Sequence, residues 1–426
     1  MLNAQSPQLI AQSSLLKAQS RNEKIRVNSR DTWKRKEKIL SVFESFLSLQ
    51  ADDCLTVKTN DMKTRRFFAL IAVFATLFAS CEEIIDDLGN GTGNTESSTE
   101  SGGAGTETNT TQGGTEPEED TLDFASFTCL QTLTGHSDRV DCVAYSPYWD
   151  RIVSGSMDGT IKLWDANNGA CLRTFEGHSD FVNSVCWNPD GDFFASSSND
   201  KTVKIWHANN VACLRTFEGH SETIFSVCWS PDGNYLASGS VDRTVKIWDA
   251  ESGTCLRTLE GHSHGVMYVC YSPDGRYLAS CGEEWIGGGI IGKIYIWDAE
   301  SGACLRTFEG HSGSIYSLSW SPDGRYLASG SPDRTVKIWD VNSGECIRTF
   351  EGHSDGVASV SWSPDGNYLA SGSVDSTIKI WDANNGVCIR TLSGHSNLVT
   401  SVCWNPDGTK IISGSTDKTV KIWGME

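Results

Sequence analysis

Residues 219–262 read GHSETIFSVCWSPDGNYLASGSVDRTVKIWDAESGTCLRTLEGH. The stretch opens on Gly-His and runs through an apolar segment to Trp229, a turn SPDG, a second run YLASGS and a third run TVKIWD. A fourth run, CLRTL, leads back to Gly-His. Short runs rich in Val, Ile, Thr and aromatic residues, bounded by Pro-Asp-Gly and Ser-Gly punctuation, are strands joined by tight turns. The stretch therefore predicts one four-stranded antiparallel sheet, and it is not alone.

Gly-His recurs at 135–136, 177–178, 219–220, 261–262, 310–311, 352–353 and 394–395, at intervals of 42, 42, 42, 49, 42 and 42 residues. Trp-Asp stands at 164–165, 248–249, 297–298, 339–340 and 381–382, and decays to Trp206-His207 and Trp423-Gly424. A period near 40–45 residues with these two pairs at its ends resembles the WD40 repeats. The resemblance covers 127–424. It implies an all-β, seven-bladed propeller of four-stranded antiparallel blades over 122–426. The chain enters with a lone outer strand, 129–133, and leaves after a third strand. Pairing the two ends would close the ring and limit exposed sheet edges.

Each repeat also holds a Ser, a His and an Asp: His178, Ser196 and Asp200 in the second, His220, Ser238 and Asp242 in the third. A hydrolase triad uses these types, but an enzyme needs one nucleophile in one pocket, not seven. The resemblance implies that they form a structural hydrogen-bonded network with the third-strand Trp206 and Trp248. No Cys-x-x-Cys pair, phosphate-cradling loop or calcium loop is present, so no metal and no cofactor is expected.

Seven of the fifteen cysteines recur in the outer strand (129, 171, 213, 255, 304, 346, 388), and four in the inner strand (186, 228, 270, 403). Inner and outer strands lie three spacings apart, about 14 Å, and a disulfide needs Cα atoms within roughly 7 Å. Both sets are expected to be small buried apolar residues.

The repeats differ from one another at few positions. The third and fifth residues after each Gly-His histidine vary freely, as does the residue before the turn Asp. Among them are Arg139, Met157, Phe181, Phe225, Met267, Tyr316 and Leu398. In WD40 proteins these loops rim one mouth of the central channel, and aromatic residues, Met and Arg are enriched at interfaces. Drift where packing permits is the competing account. The fourth repeat adds seven residues around CGEEWIGGGIIG (281–292) and loses its turn Asp. Trp285 and Ile286 there form either a recognition finger or a drifted loop.

Ahead of the repeats, residues 62–83 read MKTRRFFALIAVFATLFASCEE. The apolar run from Phe67 to Ala79 falls short of the roughly 20 residues of a membrane span. With its basic flank it has the layout of a signal peptide, 62–80. Leu77-Phe78-Ala79-Ser80-Cys81 resembles a bacterial lipobox, with Cys81 the lipidation site and Phe78 a departure from the pattern. A buried helix or signal anchor is the alternative. Residues 1–61 read as a mis-called or disordered extension. Residues 81–121 are rich in Gly, Ser, Thr and Glu, an acidic, disordered tether reaching roughly 35 Å over some forty residues.

The net charge is −19, which argues against nucleic acid and anionic membrane surfaces as partners. These observations predict a monomeric, non-catalytic scaffold that binds a protein or peptide, attached to a membrane only through its lipid anchor. Free cysteines are unusual in an oxidising compartment, so a cytoplasmic scaffold stays open. An enzyme using the channel is the remaining alternative.

Overall fold

The computed structural model describes residues 123–286 and 289–425. The segments 1–61, 62–80 with Cys81, and 81–121 lie outside the described residues, as do the side chains of Trp285 and Ile286. The described residues form a seven-bladed β-propeller of four-stranded antiparallel sheets. Blade one is Val140–Tyr145, Arg151–Ser156, Ile161–Asp165 and Cys171–Phe175, inner strand to outer. Blades two to six repeat that order along the chain. Blade seven combines Val399–Trp404, Lys410–Ser415 and Thr419–Gly424 with the entering strand Thr128–Thr134. Leu133 pairs with Val420 and Thr128 with Gly424. A short 3-10 turn, Phe124–Ser126, precedes that strand, capped by Asp123. It places Phe124 4.7 Å from the ring of Tyr368 in blade six, and Phe127 in the same apolar cluster.

Second strands such as Tyr235–Ser240 are buried on both faces, because neighbouring blades cover them. This explains the small residues of YLASGS. A Cβ on Gly239 would lie 2.6 Å from Val266 Cγ1 of the next blade, and Gly155, Gly330, Gly372 and Gly414 make the same approach to a valine. Gly177 meets a separate demand. Its φ is +150°, and a Cβ there would sit 3.0 Å from the Trp206 ring. The glycine of the Gly-His pair thus leaves room for the tryptophan.

Two expectations are corrected. The outer-strand cysteines are not buried; all seven are exposed. Six begin an edge strand with no sheet beyond it and Cys129 is second in its own, next to a register shift such as that between Ile247 and Trp248. In each the thiol turns back on its own strand, Cys255 donating to the Arg257 carbonyl at 3.3 Å. The blade-four insertion is not a loop. It lengthens a hairpin, Tyr277–Ile286 paired with Gly289–Asp298, with Trp285 opposite Ile290. The pairing runs without a break from Gly282 opposite Lys293 to Ile286 opposite Gly289, so the ladder simply continues.

Candidate functional site

Within blade two, Trp206 donates its indole N–H to Ser196 Oγ at 2.8 Å, Ser196 lies 2.7 Å from His178 Nε2, and His178 Nδ1 lies 2.8 Å from Asp200 Oδ2. One proton assignment satisfies every atom: Nδ1–H faces the carboxylate, and Nε2 accepts the serine hydroxyl. Asp200 also accepts from the Ser179 and Thr202 amides and the Thr202 hydroxyl. Burial alone would raise its carboxyl, but these bonds hold it well below the usual carboxylate range. Blade three repeats the chain through Trp248, Ser238, His220 and Asp242 at 2.7–2.8 Å. The distances are those of a hydrolase triad, yet Ser196 and Ser238 are fully buried and each hydroxyl oxygen already holds an indole N–H. No substrate carbonyl can reach them.

Blade four departs. His262 still meets Ser280 at 2.7 Å, but its buried Nδ1 has no partner. Glu284 occupies the place of the turn Asp and bonds instead to Ser263 and, at 2.8 Å, to the Tyr295 hydroxyl. Burial pushes the His262 imidazole down to about 4, with Glu284 pulling the other way.

The inner strands enclose a central channel of about 640 Å³. All seven fifth-position residues line it: Asp141, Asn183, Phe225, Met267, Tyr316, Ala358 and Thr400, joined by Arg139 and Leu398. Met157 and Phe181 sit beside the mouth rather than in the channel. The Met157 N–H bonds the Arg139 carbonyl and the Asn199 N–H bonds the Phe181 carbonyl, both at 3.0 Å. Positions far apart in sequence thus converge on one end of the ring.

Their environments divide them. Asn183 donates to the Ile224 carbonyl at 2.9 Å and Thr400 to the Val140 carbonyl at 2.6 Å, stitching each blade to the next. Arg139 Nε lies 2.7 Å from Asp141 Oδ1. Burial lifts the Asp141 carboxyl to about 6, against the pull of Arg139. Phe225 and Met267 are half-buried and Tyr316 is 42% exposed, together an apolar arc on blades three to five across the channel from the ion pair, while the half-buried Leu398 stands on blade seven beside it.

Deeper in the channel the inner-strand cysteines have a structural task. The Cys186 and Cys403 thiols donate to the Trp187 and Trp404 carbonyls of their own strands at 3.5 and 3.2 Å and face the Trp229 and Tyr145 N–H groups of the following blade. At the matching place the Ser319 and Ser361 hydroxyl oxygens accept the Trp362 and Trp404 N–H groups at 3.0 and 3.5 Å. Burial pushes the Cys186 thiol up to about 11, so it stays protonated. Among the described residues, no group of three or more His, Cys, Asp and Glu is placed to hold a metal.

A further departure lies at the other end of the ring. In six repeats the turn after the inner strand is SPDG or NPDG; in the first it is Ser146-Pro147-Tyr148-Trp149. Tyr148 is 73% and Trp149 51% exposed. Lining up the seven turns was the signal that could have found it.

The WD40 family (WD domain, G-beta repeat) matches residues 127–165, 169–207, 211–249, 253–286, 302–340, 344–382 and 386–424, more than half of the chain. A stretch of 37 residues is 49% identical to the Notchless protein homolog of Arabidopsis thaliana, covering 9% of this chain and 8% of that protein. The chain thus spans less than a tenth of the length of this curated relative in their shared region.

Proposed function

We propose a function from one premise: the chain belongs to the WD40 (WD domain, G-beta repeat) family. On that premise it is a non-catalytic interaction scaffold that binds a protein or peptide at the channel mouth. One observation carries the reading. The scaffold residues barely change from blade to blade, while the residues that change most gather at the mouth, where Phe225, Met267 and Tyr316 form an apolar arc facing Arg139, Asp141 and Leu398. Aromatic residues, Met and Arg are the types that dominate interface energetics. The test is co-purification from the native host with quantitative mass spectrometry. A partner lost with Phe225→Asp or Tyr316→Asp, but kept with Leu214→Asp on the outer edge, supports the mouth. A partner indifferent to both mouth substitutions sinks it.

We further propose that the mature chain begins at an acylated Cys81 and works outside the cytoplasm, a reading that rests on the signal-like order of 62–83. A second reading, a cytoplasmic scaffold, is favoured by the thirteen cysteines among the described residues, all of them free. The mass of the mature N-terminal peptide separates the two. Diacylglycerol on Cys81 supports the first; an unmodified Cys81 in an intact chain overturns it, and fractionation then separates a cytoplasmic scaffold from a signal-anchored one.

A further inference from the structure

In blade three, the turn Ser230-Pro231-Asp232-Gly233 closes with the Gly233 N–H on the Ser230 carbonyl at 2.9 Å. Asp232 braces it by accepting from the Ser230 hydroxyl and from the Asn234 N–H at 3.0 Å. Asp274 and Asp323 accept the matching serine hydroxyls at 2.6 Å. In blade one Tyr148 and Trp149 occupy the Asp and Gly positions. The bracing carboxylate is gone, and Ser146 Oγ accepts only a long bond, 3.4 Å, from the Trp149 N–H. A local rule is broken and two large rings are left in water. The solvent-facing halves of the rings gain no packing from this, and departures not fully repaid in stability mark functional positions.

The surroundings show what the rings would meet. They rest on blade two, where a Cβ on Gly191 would lie 3.3 Å from Trp149 and 3.4 Å from Tyr148. The Arg151 guanidinium stands 5.9 Å from the Trp149 ring centre and bonds Asn209 at 3.0 Å. Val211, on that same blade-two loop, is 59% exposed. Trp, Tyr and Arg are the residues most enriched at binding hot spots. Three exposed carboxylates, Asp150, Asp190 and Asp192, lie in the same pair of turns as the rings, Asp150 also accepting from the Tyr145 hydroxyl at 3.1 Å and the Asn167 amide at 3.2 Å. In an antiparallel blade the first and third turns lie at one end and the second turn at the other, so this patch is on the ring face opposite the mouth.

We propose that the Tyr148–Trp149 turn is a second docking patch that takes a basic protein segment, an apolar side chain against the two rings and Lys or Arg side chains at Asp150, Asp190 and Asp192. The repeat region adds long-range attraction for such a partner, since residues 121–426 carry 36 acidic and 22 basic side chains, a balance of −14. The same charge repels an anionic bilayer. The patch does not depend on the channel mouth being a binding site.

The test compares the full chain with a Tyr148→Asp/Trp149→Gly variant, which restores the turn of the other blades and is expected to unfold at the same or higher temperature. The probes are short synthetic peptides with a central Leu-Phe flanked by lysines, by serines or by glutamates, followed by fluorescence anisotropy. The lysine peptide should bind most tightly, lose at least about tenfold in affinity with the variant, and weaken as salt rises. Equal binding of all three peptides, equal binding of the lysine peptide to the variant, or no binding by any peptide would each overturn the proposal. Trp149-dependent sedimentation with phosphatidylserine-containing vesicles would overturn it in favour of a membrane. A concentration-dependent dimer abolished by the variant would do so in favour of a second copy.

Discussion

Leu133 lies directly opposite Val420 in the seventh sheet, so the first described strand and the last are neighbours in one ladder. Leu133 is 2% exposed and Phe127, just before the strand, 1%. Both anchor the closure of the ring. Leu133→Ala or Phe127→Ala should each cost about 2–5 kcal/mol by loss of apolar burial and creation of a cavity. Leu214→Ala, on the exposed outer edge of blade two, should fall within about 0.5 kcal/mol of the parent. Urea unfolding of the three variants checks this. Equal effects at the closure and the outer edge would mean that the entering strand does not hold the ring.

Ser196→Ala strips a buried indole N–H and a buried imidazole nitrogen of their shared partner. Each unsatisfied group costs about 1–3 kcal/mol, so the variant should be less stable by about 2–6 kcal/mol. The same substitution at the exposed Ser179 should be nearly silent. Equilibrium denaturation decides, and a silent Ser196→Ala would show that the network contributes nothing.

Burial lowers His353 and His395 as well as His262, but the unpartnered His262 should make blade four an acid-sensitive point. Its folded value is pushed from 6.5 to about 4, so between those values the unfolded chain takes up a proton that the folded chain refuses. Stability from this group is therefore present above about pH 6.5 and is lost as pH falls toward 4, by about 3 kcal/mol in all. His262→Asn should flatten that part of the stability curve. Its C2 proton should also hold the neutral chemical shift down to about pH 5 in NMR titration. A shift change near pH 6.5 would refute the assignment.

Asp141 should act with the opposite sign. Its folded value is raised from 3.8 to about 6, so burying the ionised carboxylate costs stability above pH 6, and that cost disappears as pH falls toward 4. Asp141→Asn should be more stable than the parent at pH 8, by up to about 3 kcal/mol less whatever Arg139 loses, and no more stable at pH 4. Thermal melts at the two pH values test the sign. A variant destabilised equally at both would show that the ion pair outweighs the burial cost.

Thiol labelling should sort the cysteines by strand. The seven outer-strand thiols, Cys129 to Cys388, are exposed and should react with a maleimide in the native state. Cys142, Cys228 and Cys281 are buried and should react only after denaturation. Peptide mapping reads the pattern. Rapid native labelling of Cys228 would mean that the channel opens more widely than its packing allows.

The sequence by itself determined the repeating unit, the number of blades and the place where variation gathers. Strand periodicity, Pro-Asp-Gly turns and a 42-residue period are local properties, legible from neighbours along the chain. It also marked the Ser, His, Asp and Trp positions, because a network used in all blades but the fourth recurs in the matching repeats. What only the tertiary structure decided were matters of neighbours across the ring. An outer cysteine is exposed because no sheet lies beyond it, while an inner cysteine faces the next blade's backbone. Glu284 stands in for an aspartate only because a lengthened hairpin carries it there, and it then chooses Ser263 and Tyr295 over His262. Tyr148 and Trp149 are left in solvent because the surface beneath them is a glycine with nothing to cover the rings. Burial and partner choice depend on which blade stands alongside, and no single repeat contains that information.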